Sequence, residues 1–185
     1  LLAGLTYFIR SRNISHGLVF LYILVMVLLL IYLYPKSGEQ LNDFFFCDQI
    51  GLIFLIILIV VSFVSAIHYI TFVTNRDVRP PVQSLHNAGT IFFTGAIVGV
   101  LFTSHFGVLW AFMEATTLGA SILIYHNRNS DSLEATWKYL FISSIGIALA
   151  FAGVLFLGLA GQQVSNVDFT FSTIKNISGQ LNAMW

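Results

Sequence analysis

Residues 106–125 read FGVLWAFMEATTLGASILIY, and Glu114 is the one charged side chain in the stretch. Twenty residues of helix rise about 30 Å, the thickness of the hydrocarbon layer of a bilayer. Glu114 sits about eight residues, or about 12 Å, from one end, close to the bilayer centre. A carboxylate at that depth costs at least about 2.5 kcal/mol, so something offsets it and a functional role is the first reading. Four more apolar runs of spanning length flank this one: Leu18 to Tyr34, Ile50 to Thr74, Ala88 to Thr103 and Leu133 to Ala160. The expected fold is therefore all-α, a polytopic transmembrane helix bundle of about five complete spans. Residues 1–9 read as the end of one more helix.

Composition points the same way. Hydrophobic residues make up 57% of the chain and charged ones 9%, against about 25% charged in soluble domains. The mean hydropathy is +0.87. Eight basic residues balance eight acidic ones, so no net field recruits nucleic acid. The single Cys47 excludes a disulfide within the chain and a thiolate metal cluster. No glycine-rich phosphate cradle, CxxC, HExxH, nucleophile triad or haem signature is present, so no cofactor and no metal is expected and any electrons belong to another subunit. The chain starts at Leu1 rather than Met, so it looks like a fragment or a processed piece, and the first long apolar run is too long for a signal peptide. Residues 1–185 are expected to form one membrane domain, with 161–185 as an extramembrane loop.

Between spans, Pro35 with Lys36 and Gly38 ends the first, and Asn75 to Ser84, with Pro80-Pro81, reads as a turn that cannot continue a helix. Gly89, Gly95 and Gly99 are spaced to let another helix approach the third span closely. If the spans alternate sides, Arg10, Arg12, Arg76, Arg79 and Arg128 fall on one side, and Lys36 and Lys175 on the other. The positive-inside rule makes the arginine side cytoplasmic in a bacterial inner membrane. Tyr7, Tyr32, Tyr34, Tyr125 and Trp137, at expected helix ends, suit an interfacial belt.

Lys138 lies about one and a half turns into the fifth span, with Glu134 at i−4 where the two side chains can meet. A Glu and a Lys that approach and separate change each other's proton affinity, which is the basis of a proton switch. Each group also has a structural reading. Glu114 can be a charge satisfied by a neighbouring helix, and Lys138 can extend its stem toward the surface. Thr116, Thr117 and Ser121 either line a polar track or bond their own backbone. His68 and His105 can relay protons near neutral pH or serve as residues of a helix end.

The runs LWAFMEATTL at 109–118, SLEATWKYL at 132–140 and GIALA at 146–150 resemble the antiporter-like membrane subunits of complex I and its relatives. Glu-Ala-Thr-Thr-Leu followed by Ser-Leu-Glu-Ala-x-Trp-Lys-Tyr is most similar to the F subunit of hydrogenase-4 and related group 4 membrane hydrogenases. The likeness covers roughly residues 100–157.

This resemblance implies a proton-translocating subunit of a membrane oxidoreductase complex, or of a cation/proton antiporter. The family's essential glutamate on its fifth helix is matched by Glu114, and the conserved lysine on its sixth by Lys138. Glu134 is a weaker candidate for proton uptake. Later family helices carry a further Lys and a Lys or His, and these are expected outside the present chain. The implied partners are membrane and peripheral subunits of an oxidoreductase complex, together with the lipid bilayer. The competing reading is a structural membrane anchor without transport.

Overall fold

The computed structural model describes residues 3–4, 6, 12–76, 80–162 and 169–177. Five long helices follow one another: α1 (Arg12–Leu33), α2 (Gln49–Arg76), α3 (Pro80–Phe102), α4 (Phe106–Ile124) and α5 (Ser130–Gln162). Each contains a segment long and apolar enough to cross a membrane. The sequence favours helix here because lipid offers no partner to a bare peptide group, so each span must satisfy its own backbone. A short helix, α6 (Phe171–Ile177), and a two-stranded ribbon, β1 (Gln40–Asn42) with β2 (Phe45–Phe46), complete the described elements.

The prolines mark helix ends. Pro35 lies in a 3-10 turn, Tyr34–Lys36, that closes α1. Pro80 and Pro81 start α3 rather than extend a turn, so this helix begins eight residues before the expected Ala88. A first-turn proline lacks only an N–H that has no intrahelical acceptor, and its fixed φ already suits the helix. Gln83, Ser84, His86 and Asn87 are consequently helical, and Gln83, Ser84 and Asn87 are buried.

Between α4 and α5 the chain makes a 3-10 turn, Tyr125–Asn127, then enters the left-handed region at Arg128 with φ of 50°. The α5 start is closed reciprocally: Ser132 N–H donates to Asn129 Oδ1 at 2.8 Å, and Asn129 N–H donates to Ser132 Oγ at 3.1 Å. This is the logic of a capping box, two backbone donors satisfied by two side chains.

Helices α3 and α4 pack closely because glycines face the contact from both sides. A Cβ on Gly89 would lie 2.8 Å from Ile122 Cγ2, and one on Gly119 would lie 2.9 Å from Phe93 Cα. A Cβ on Gly99 would overlap the Phe112 ring, whereas Gly95 faces the Tyr22 hydroxyl of α1. The expected glycine contact is thus made, with Gly119 as an additional contributor. Met26, Leu33, Cys47, Leu52, Leu55 and Phe102 form a core among α1, α2, α3 and the ribbon. Helix α5 is the least covered: none of its most apolar window is buried.

On the lysine side, three connections are joined. β1 and β2 pair with Gln40 opposite Phe46, and Phe45 bridges to Thr103. Ser104 N–H donates to the Phe44 carbonyl at 2.8 Å, Phe106 N–H to that of Phe169 at 2.8 Å, and Phe171 N–H to that of Ser104 at 3.0 Å. In the segment expected as a loop, α5 runs on to Gln162 and α6 folds back beside this junction. Residues 163–168 and 178–185 of that segment, and most of the expected helix end at 1–9, lie outside the described residues.

Candidate functional site

Trp110, Glu114, Thr117 and Ser121 recur at i, i+4, i+7 and i+11, which places them on one face of α4. That face looks toward α5, because the Trp110 indole N–H donates to the Ile147 carbonyl at 3.2 Å and its ring meets Phe151 at 4.4 Å. The antiparallel register anchored by Trp110 sets Glu114 opposite the α5 stretch from Ser143 to Ile147. Ser143, Ser144 and Ile147 belong to the half-buried face of α5, with Ser132, Thr136 and Tyr139 further along it.

Glu114 is itself half-buried, and among the described residues its carboxylate makes no ion pair and no side-chain hydrogen bond. Thr116 and Thr117 donate to the Met113 carbonyl at 2.7 and 3.3 Å, and Ser121 donates to that of Leu118 at 2.7 Å. Their hydroxyl protons are committed to backbone, as one of the two readings held. The hydroxyl oxygens of Thr117 and Ser121 remain on the glutamate's face as acceptors.

Lys138 and Glu134 form an ion pair across one turn of α5, the pairing that the i,i+4 spacing indicates. Both side chains lie on the outer face, about two-thirds exposed within the chain. Glu114 and Lys138 are not brought together. From the register at Trp110 they are offset by five to nine residues, about 8–14 Å along the helix axis.

Of the two histidines weighed for relay, His68 points outward from α2. His105 caps α4, its Nδ1 accepting from Gly107 and Val108 N–H at 3.1 and 3.4 Å. The structure instead assembles His16, Tyr69, His86 and His126 at the arginine end. His86 stacks on Tyr69 at 3.7 Å, and His126 meets His86 edge-on at 4.9 Å. These residues lie on four elements up to 110 positions apart, and their only sequence signal is the polar run Gln83 to Asn87 ahead of an apolar span. Among the described residues, no three His, Cys, Asp or Glu side chains converge to hold a metal ion.

Cys47 is fully buried beside the ribbon, with its thiol toward the Leu33 carbonyl at 3.4 Å. Burial, then the carboxylates of Asp48 and Glu39, push the thiol above its ordinary range.

The chain is thus a multi-pass helical membrane protein with a mid-span carboxylate on an internal seam. Over 119 residues it is 24% identical to the "Hydrogenase-4 component F homolog" of Methylacidiphilum infernorum (isolate V4), a match covering 60% of this chain and 24% of that protein. The chain therefore matches about a quarter of the length of that relative. No family model matches the chain. No solved structure matches it significantly.

Proposed function

We propose that this chain is a proton-translocating membrane subunit of a hydrogenase-type or complex I-like oxidoreductase complex. Glu114 is the carboxylate that loads and releases the proton, Lys138 modulates its charge state, and Glu134 holds Lys138 between events and is the weaker candidate for proton uptake. The observation that carries the reading is the position of Glu114: mid-span, half-buried, on the α4–α5 seam, with no counter-charge among the described residues. A carboxylate retained only to tie helices together would be expected to hold such a partner. The distant likeness to a hydrogenase-4 component F homolog supports a place in a multi-subunit membrane complex.

The offset between Glu114 and Lys138 is compatible with modulation at a distance. A unit charge about 10 Å away contributes about 1.7 kcal/mol at an effective dielectric near 20, more than a tenfold change in proton occupancy. While Lys138 is paired with Glu134 much of that field cancels, so opening the pair is the switching event. Electron transfer belongs to partner subunits, and its coupling to the pair completes the cycle.

Glu114→Gln in the native complex tests this. Substrate-driven proton uptake is followed in inverted membrane vesicles by a pH-sensitive dye, and assembly by native gel. Loss of uptake with assembly intact is the expected result. Failed assembly supports the anchor reading, for which the outward-facing Glu134–Lys138 pair on the uncovered α5 would be a lateral contact. Undiminished uptake removes Glu114 from the mechanism.

A further inference from the structure

We propose that His86 and His126 form a shared proton-binding site at the arginine-rich end of the bundle, framed by Tyr69 and His16 and separate from Glu114. The inference goes beyond the role assigned to Glu114 and does not require it. The event is simple: one proton leaves water at this face, binds an imidazole nitrogen, and later departs from the pair.

Three helices and one turn build the site. Tyr69 of α2 is buried, and His86 of α3 stacks on its ring at 3.7 Å with 19° between planes. His126, in the turn after α4, closes the group edge-on to both rings, at 4.9 Å from His86 and 5.7 Å from Tyr69. His16 of α1 meets the phenol ring from another side at 6.4 Å and lies 3.3 Å, Nδ1 to Nδ2, from Asn87. Unlike His105, neither His86 nor His126 caps a helix among the described residues. The Tyr69 hydroxyl and His86 Nδ1 are buried with no hydrogen-bond partner among the described residues, so polar capacity stands open within the cluster. Burying such groups without a partner is costly.

The pairing sets the stoichiometry. Two imidazolium rings in contact repel, so the pair holds at most one proton until the pH is much lower, where a second can bind. Among the described residues, the titratable and charged groups around it are His16 from α1, Tyr69 from α2 and, two residues past His126, Arg128. Among the described residues, no carboxylate is ion-paired to either ring. His126 lies in the turn beside the exposed Asn127 and Arg128, whereas His86 is on α3 with its Nδ1 buried, which orders them as outer and inner members.

The test is a pH titration from 3 to 9 of the histidine-labelled full chain in lipid nanodiscs, followed by NMR. His86 and His126 are expected to titrate in two coupled steps. Histidine 126 replaced as His126→Gln should leave His86 with a single step whose midpoint moves by about one pH unit, and His86→Gln should act reciprocally on His126. His68→Gln should change neither. Independent single steps unmoved by loss of the neighbour, or no protonation of either ring across the range, overturn the proposal. If His86→Gln fails to fold, His126→Gln, at the half-exposed ring, still decides the matter. No pumping enters the readout, so a negative result for Glu114 leaves this outcome untouched.

Discussion

Glycine 119 carries the closest helix contact whose neighbour cannot yield. A methyl group at Gly119 would stand 2.9 Å from Phe93 Cα and 3.0 Å from its Cβ. Both atoms belong to the body of α3, so no rotamer change relieves the overlap, and α3 and α4 must move apart by several tenths of an ångström. Overpacking of this kind costs about 1–3 kcal/mol. Alanine also favours helix over glycine by about 1 kcal/mol, which would mask part of the loss. Gly146 of α5 removes that ambiguity, since a Cβ there meets nothing within 4 Å. Gly119→Ala and Gly146→Ala share the propensity gain and differ in the contact, so their stabilities should separate by about 1–3 kcal/mol. The sign for each is fixed: Gly146→Ala neutral or stabilised, Gly119→Ala destabilised relative to it. At about 2–4 °C per kcal/mol, the melting temperatures in detergent or nanodiscs should differ by about 2–12 °C. Equal melting temperatures would refute the close α3–α4 approach and, with it, the placement of α4 that orients Glu114.

Other perturbations test other parts of the bundle. Trp110→Phe keeps the ring contact with Phe151 but loses the donor to Ile147, and should cost about 0.5–1.5 kcal/mol in the same melting assay. Lys138→Gln should change folding stability by no more than about 0.5 kcal/mol, because both partners of its ion pair are largely exposed; an effect confined to proton uptake would assign the lysine to function. Cys47 should resist maleimide at pH 7 in the folded protein and react on unfolding, whereas a cysteine placed by Ser130→Cys in a Cys47→Ala background should react at once. Since folding raises the thiol pKa, its contribution to stability is present at neutral pH and fades as pH climbs past the ordinary thiol value, so alkaline titration should lower the melting temperature less in Cys47→Ala.

The five spans were legible because a bilayer leaves an apolar run of that length few alternatives to helix. Boundaries were harder where one residue type serves two purposes. Pro80-Pro81 reads as a breaker along the chain, yet it opens α3, and the turn expected over Asn75 to Ser84 took in the buried Gln83 and Ser84. The Glu134–Lys138 pair was readable because it is local to one helix. The separation of Glu114 from Lys138 was not, since it depends on where Trp110 meets α5, a contact 37 residues distant in sequence. His16, Tyr69, His86 and His126 lie at unrelated positions and converge only when four elements pack. The β1–β2 ribbon had no signal either, since its five-residue core holds no glycine turn and three consecutive phenylalanines hide the strand alternation.

The backbone junction on the lysine side has a mechanical consequence. Thr103 Oγ1 and Ser104 N–H both engage the Phe44 carbonyl, while Ser104 C=O and Phe106 N–H hold the segment that leads into α6. The α1–α2, α3–α4 and post-α5 connections are thereby laced into one plate across that end of the bundle. At the opposite end, the described α4–α5 connection keeps its backbone bonds within the turn, as in Arg128 N–H to the Tyr125 carbonyl. Such a plate restrains the angular play of the helices most strongly beside it, and the restraint weakens with distance along them. Glu114 sits partway along the helices, whereas the four-ring cluster lies at the end away from the plate.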